Sequence, residues 1–193
     1  MYFGGFFLDP FGIIFLFPAL ALAMYAQFKV RSTFQRYLNV RASSGMTGAQ
    51  VARAMLDEAG LSDVPGERTC GTPTDHYDPR KRAMRLSAEV YRGQSVAALG
   101  VAAHETGHAL QHKENYIPLN IRSQIFPVAS FGSTWAFPLF FLGFIFGPGM
   151  GETFMNLGIY LFGAAVLFHI VTLPVEFNAS SRAIALLTDR GFI

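Results

Sequence analysis

His104, Glu105 and His108 stand in the run His104-Glu105-Thr106-Gly107-His108, an H-E-x-x-H spacing that suits metal-assisted hydrolysis. Residues four apart on an α-helix lie about 40° apart around the axis and about 6 Å apart along it, so two imidazoles can converge on one tetrahedral zinc ion. Glu105 then projects beside the metal rather than onto it, where it can take a proton from a water attacking a carbonyl. Chance is a poor source of the pattern: five His and the Glu content of this chain give about 0.005 expected matches. A catalytic zinc takes three protein ligands and keeps one position open. The motif provides two, so a third must come from elsewhere in the chain.

The motif needs a helix, and its surroundings provide one. Ser95 is a suitable N-cap, and Val96, Ala97, Ala98, Leu99, Val101, Ala102 and Ala103 form a compact apolar entry into the motif. The pattern turns polar at Gln111-His112-Lys113-Glu114-Asn115 and ends before Pro118. Its apolar part is too short to cross a bilayer, which argues for a water-accessible domain rather than an intramembrane site. Thr47-Gly48-Ala49-Gln50 reads as a capping box that opens a packing helix through Val51, Met55, Leu56 and Ala59 to Gly60. Residues 61–72 read as loop, and Asp75 to Leu86 as a hairpin turning at Asp78-Pro79-Arg80-Lys81. A strand edge beside the zinc helix could hold an extended peptide by main-chain hydrogen bonds.

Around this domain the chain is strongly apolar: 51% of its 193 residues are hydrophobic and 20 are Phe. Pro10 to Phe28 and Ser123 to Gly151 carry no charge, and Phe154 to Val175 has only His169 as an ionisable group. At about 1.5 Å per residue each run can cross roughly 30 Å of hydrocarbon, so three transmembrane helices are expected. The first run lacks a basic n-region and is followed at once by Lys29 and Arg31, which marks an uncleaved anchor rather than a signal peptide. All 15 Lys and Arg lie between Lys29 and Arg122 or at Arg182 and Arg190. The positive-inside rule therefore puts those segments in the cytoplasm and the Gly147 to Glu152 turn outside. The expected fold class is α+β, mainly helical, in an integral membrane protein. It divides into an anchor at 1–28, a cytoplasmic zinc-peptidase domain at 29–122, a transmembrane hairpin at 123–175 and a cytoplasmic segment at 176–193. A net charge of +2 with no basic stripe argues against a nucleic-acid partner. Cys70, the one cysteine, cannot form an internal disulfide and reads as a plain loop residue.

Geometry sorts the candidates for the third ligand. His112 lies about 12 Å along the helix axis from His104, too far to share one ion, and fits a surface residue or one that supports a ligand from behind. Glu114 falls where the extended H-E-x-x-H-x-x-G-x-x-H pattern has its last ligand, but Gln111 replaces that pattern's glycine. Glu176, in Leu173-Pro174-Val175-Glu176-Phe177, is the better candidate, because a carboxylate at the end of an apolar span is costly without a partner. Two crossings separate it from the zinc helix, which returns it to the same face of the membrane. His169 reads as a histidine satisfied inside the helix bundle.

With these residues in view, the chain resembles the YugP-like neutral zinc metallopeptidases of bacterial membranes. The resemblance covers nearly its whole length and is carried by Thr74-Asp75-His76-Tyr77-Asp78-Pro79, Leu86-Ser87, the run from Val96 through Ala109, and Leu173-Pro174-Val175-Glu176-Phe177. It implies a membrane-anchored zinc peptidase with a gluzincin-like site holding one zinc ion, in which Glu176 joins His104 and His108 as a ligand and Glu105 activates water. Related membrane gluzincins often carry E-x-x-A-D where this chain has Glu176-Phe177-Asn178-Ala179-Ser180. The carboxylate that would orient a ligating imidazole is thus missing there, and Asn178, Ser180 or another residue must substitute. Relatives also tend to continue into another hydrophobic segment beyond the equivalent of Ile193.

His76, Tyr77, Tyr91 and Tyr116 are candidate oxyanion or substrate contacts, and the sequence does not choose among them. The expected partners are a membrane-associated or unfolded protein or peptide substrate and the lipid bilayer. The zinc site is expected on the cytoplasmic side of a multi-pass protein of the cell membrane, and an oligomer is compatible with the sequence. The competing class is a zinc-stabilised membrane scaffold or adaptor without turnover, for which Glu105→Gln leaves function intact. A transporter ranks last, because the apolar runs offer too few internal polar groups to build a substrate path.

Overall fold

The computed structural model describes residues 10–69 and 75–193. Cys70 and Thr74 lie outside the described residues. In chain order the elements are α1 (Pro10–Leu38), α2 (Gly48–Glu58), β1 (Gly66–Thr69), β2 (His76–Asp78), β3 (Ala83–Ser87), α3 (Ala88–Arg92), α4 (Val96–Lys113), α5 (Ile117–Phe146) and α6 (Met150–Asp189).

Small side chains allow α4 to sit at the centre. Ser95 caps it as expected, accepting the N–H of Ala98 at 3.2 Å, and Ala98, Leu99, Ala102, Ala103 and Ala109 are all buried. Ala102 and Ala109 join a core with Leu56, Val64, Met84, Leu86 and Val90 from α2, the loop after it, the sheet and α3. Leu99 and Ala103 join Val51, Met55, Ala183 and Leu187, which ties the last turns of α6 to the same helix. α2 opens on its capping box, with Gln50 N–H donating to Thr47 Oγ1 at 3.3 Å and Thr47 N–H to Gln50 Oε1 at 2.8 Å. The strand order is β1-β3-β2, with β1 parallel and β2 antiparallel to β3.

β2 and β3 are the expected hairpin, its turn held by Asp78 Oδ1, which accepts the N–H groups of Arg80 at 3.0 Å and Lys81 at 3.1 Å. β1 departs from the expected loop at 61–72. Gly66-Glu67-Arg68-Thr69 has no apolar alternation and is mostly exposed. It becomes a strand because β3 offers it an edge, a tertiary effect that local propensity does not carry.

α5 and α6 form an antiparallel hairpin around Gly147 and Gly149, whose φ values of 66° and 88° lie in the left-handed region that favours glycine. Small residues make the contact between them: a Cβ on Gly158 would stand 2.7 Å from the Ala136 carbonyl oxygen. Large residues such as Phe131, Phe137, Phe141, Tyr160 and Phe162 are exposed instead. Small residues between helices and large apolar ones outside is the packing of helices in lipid, whereas in water it would be an outsized apolar patch.

Among the described residues two helices, α5 and α6, are long and apolar enough to cross a membrane, not the expected three. The expected first span falls in α1, which continues through Lys29, Arg31 and Arg36 to Leu38. The side chains at 10–13, 15 and 16, at the start of that span, lie outside the described residues. His169 is also not inside the bundle: it is exposed beside Phe168, at 5.7 Å between ring centroids. The inner face of α6 follows Gly151, Gly158 and Ala165, and position 169 falls off that seven-residue repeat. α6 is 40 residues long and runs without interruption past Pro174 into the core around α4.

Candidate metal centre

The centre forms where α4 meets α6. Gly107 makes the approach possible, since a Cβ there would stand 2.7 Å from the Ala179 carbonyl oxygen. Glu176 lies one turn before Ala179 and so comes onto the histidine face of α4. Glu176 Oε2 is 3.2 Å from His104 Nε2 and 3.6 Å from His108 Nε2. The two rings are 4.8 Å apart at their centroids and nearly perpendicular, at 85°. One donor atom from each of His104, His108 and Glu176 lies within 4.8 Å of the others. Two imidazoles and one carboxylate are the donor set of a catalytic zinc site, so these residues fit the ion that the motif suggests.

The outward-facing ring atoms are held as well. His104 Nδ1 lies 3.2 Å from Ser180 Oγ, and His108 Nδ1 lies 3.0 Å from Gln111 Oε1. A chain of hydrogen bonds sets the second contact unambiguously. Arg182 can only donate, and its Nε gives a hydrogen bond to Asn178 Oδ1 at 2.8 Å. Gln111 Nε2 donates to that same oxygen and to the Val175 carbonyl, both at 2.9 Å. Gln111 Oε1 is therefore the atom facing His108, so His108 Nδ1 carries the proton and its Nε2 lone pair points into the cluster. At the outer end Glu114 accepts two hydrogen bonds from Arg182, at 2.8 and 2.7 Å. Glu114 thus anchors this chain and stands outside the metal cluster. Ser180 directly at His104, and Asn178 through Gln111 at His108, both take part in replacing the missing carboxylate.

Gln111 and Arg122 are the residues that sequence reasoning missed. Gln111 is fully buried, and its place seven residues after His104 on the same helical face was the available signal. Arg122 donates from Nη1 to Glu176 Oε1 at 3.0 Å, leaving Oε2 to the histidines. Its signal was only that it is the last charge before an apolar run.

Glu105 is buried beside the cluster, and its Oε2 accepts the Tyr77 N–H at 2.9 Å. Burial pushes its carboxyl above the usual range, against the opposing pull of His108, His104 and the Tyr77 N–H. The His104 imidazole is raised by its hydrogen bond to Glu176, which outweighs its burial. A cavity of about 630 Å³ opens onto these groups, bounded by β2, α4, α5 and Glu176. Of the four expected oxyanion or substrate contacts, His76 and Tyr77 line this cavity. The Tyr77 hydroxyl pairs with His112 Nδ1 at 2.8 Å. Tyr91 packs against the core behind the sheet, and Tyr116 sits at the N-cap of α5; neither lines the cavity.

The family described as "Putative neutral zinc metallopeptidase" matches residues 12–193. The chain belongs to this family. Among curated proteins it is similar to the "Putative membrane protease YugP" of Bacillus subtilis (strain 168), with 54% identity over 185 residues, covering 94% of this chain and 80% of the relative. No solved structure is significantly similar to it. The zinc of the family's description agrees with the donor set built by His104, His108 and Glu176, and the membrane in the relative's description agrees with the outward-facing apolar surface of α5 and α6.

Proposed function

We propose that this metallopeptidase is a zinc endopeptidase working at the cytoplasmic surface of the cell membrane. His104, His108 and Glu176 hold one zinc ion, and Glu105 is the catalytic base. The observation that carries the reading is the convergence of the two imidazoles and the Glu176 carboxylate beside the buried Glu105, at the floor of a cavity bounded by a strand edge. Zinc held there supplies Lewis-acid polarisation of the scissile carbonyl and a lowered pKa for water. Glu105 takes the proton of the attacking water and passes it to the leaving amine. The Tyr77 N–H fixes the carboxylate through Oε2. The edge of β2 holds the substrate main chain in an extended form, and His76 stands in the cavity as a donor for the developing oxyanion.

Residues 29–122 and 176–193 face the cytoplasm and 123–175 lie in the bilayer as the α5/α6 hairpin. The placement of Lys and Arg on both sides of that hairpin supports this orientation, since the Gly147 to Glu152 turn has none. The test is cleavage of an unfolded model protein by the purified, zinc-loaded protein beside Glu105→Gln, with metal content measured for both. Cleavage by the unaltered protein alone, with about one zinc in each, is the expected result. No cleavage by either despite bound zinc rejects the peptidase reading in favour of a scaffold.

A further inference from the structure

The cavity beside the metal cluster has two unlike walls. Asp75, Asp78 and Arg80 make the wall around β2 polar, while Phe126, Pro127 and Ser130 extend the other wall along α5. Arg122 is the last charged residue of α5 and marks its water end. Phe126 lies about 6 Å and Ser130 about 12 Å beyond it along the helix axis. The cavity that begins at Glu105 and the metal cluster therefore continues down the flank of a helix long and apolar enough to cross a membrane. Phe126 is 54% exposed on that flank. Pro127, inside the helix, has no N–H to offer the carbonyl of Ser123, which also lines the cavity. At membrane depth such a carbonyl is tolerated where protein or a cavity meets it rather than lipid.

An occupant of the whole cavity must match both walls. It needs an extended polar stretch for the edge of β2 and, joined to it, an apolar segment for α5. A water-soluble peptide has nothing to lay against Phe126, whereas a polypeptide emerging from a bilayer has both parts in the required order. We propose that the substrate is the juxtamembrane stretch of a membrane-spanning polypeptide. Its apolar helix docks along Phe126, Pro127 and Ser130, and the bond to be cut lies in the extended stretch just outside the membrane. This inference rests on the peptidase reading above and deepens it by naming the substrate class.

The test uses the full chain in phosphatidylethanolamine and phosphatidylglycerol vesicles, with three substrates that share one polar cleavable stretch. One continues into a transmembrane helix, one carries a lipid anchor, and one is free in solution. The lipid anchor equalises concentration at the membrane, so the ratio of helix-tethered to lipid-anchored rates isolates the α5 wall. The expected ratio is about ten, the worth of covering one large apolar side chain. Ser130→Trp, which fills the far end of the groove, and Phe126→Ala, which removes its largest contact without adding bulk, each bring the ratio close to one. A ratio near one in the unaltered protein, or one that neither substitution lowers, overturns the proposal while the peptidase reading stands on cleavage of the free substrate. No cleavage of any substrate by zinc-loaded protein overturns both.

Discussion

Replacing Gln111 by Leu separates the support of His108 from the packing around it. The side chain has no solvent exposure, and Leu keeps much of its volume, but three hydrogen bonds are lost. These are the acceptor for His108 Nδ1 at 3.0 Å and the donors to the Val175 carbonyl and Asn178 Oδ1, each at 2.9 Å. At about 1 kcal/mol net for each, the fold should lose about 3 kcal/mol. His108 is also freed to rotate and to take the other tautomer. Loss of such a support weakens metal binding by about 10- to 100-fold, or about 1.4–2.7 kcal/mol. Zinc affinity is measured by competition with a chromophoric chelator, and stability by thermal unfolding in excess chelator. Gln111→Glu divides the two effects. Its carboxylate still accepts from His108 Nδ1, so zinc affinity is largely kept, but it sets an oxygen against the Val175 carbonyl and Asn178 Oδ1, so stability falls. Zinc bound by Gln111→Leu within about twofold of the unaltered protein, well short of the loss expected for a ligand support, would refute the reasoning.

Gly107→Ala forces a Cβ to 2.7 Å from the Ala179 carbonyl oxygen. A loss of about 1–3 kcal/mol from overpacking is expected, with weaker zinc binding as α6 shifts. Gly100→Ala on the same helix meets nothing within 4 Å and should stabilise by about 0.5–1 kcal/mol; thermal unfolding of the pair checks both. For Asp78, burial raises the carboxyl, but the Lys81 and Arg80 N–H groups and the Arg85 guanidinium outweigh it and hold the carboxyl below its ordinary value. Its contribution to stability is therefore full above the ordinary carboxylate range and is lost as pH falls through the lowered value, and Asp78→Asn should flatten the acid limb of a stability-against-pH curve. Arg182→Met breaks a partly exposed pair with Glu114 worth no more than about 1 kcal/mol. It also frees the Asn178 amide to turn, so zinc affinity should fall more than this small change in stability suggests, with chelator competition and chemical denaturation as the paired readouts.

Much of this centre was legible because its rules are local. The caps at Ser95 and Thr47 and the hairpin turn at Asp78 each depend on neighbours a few residues away, and each formed as expected. Glu176 could be singled out because a carboxylate at the end of an apolar run calls for a partner. β1 was not legible, since Gly66–Thr69 takes its form from the edge of β3 rather than from its own residues. Freedom from charge in a sequence run does not show where the helix carrying it will go: α1 continues past the expected first span through three basic residues. The outward turn of His169 was hidden for a similar reason: the inner face of α6 is chosen by its glycines and alanines, not by its polar residue.

The sequence by itself determined the arrangement on one helix, because α-helical geometry obliges residues four apart to share a face, and so His104 and His108 had to present their rings together with Glu105 to one side. Tertiary structure alone decided what surrounds them. Glu176 and Ser180 reach the histidines, and Asn178 reaches Gln111 behind His108, because Gly107 lets the backbone of α6 come against α4. Arg122 reaches Glu176 because α5 lies beside both. Those contacts depend on which surfaces fit once side-chain volume is excluded, and no spacing along the chain encodes that choice.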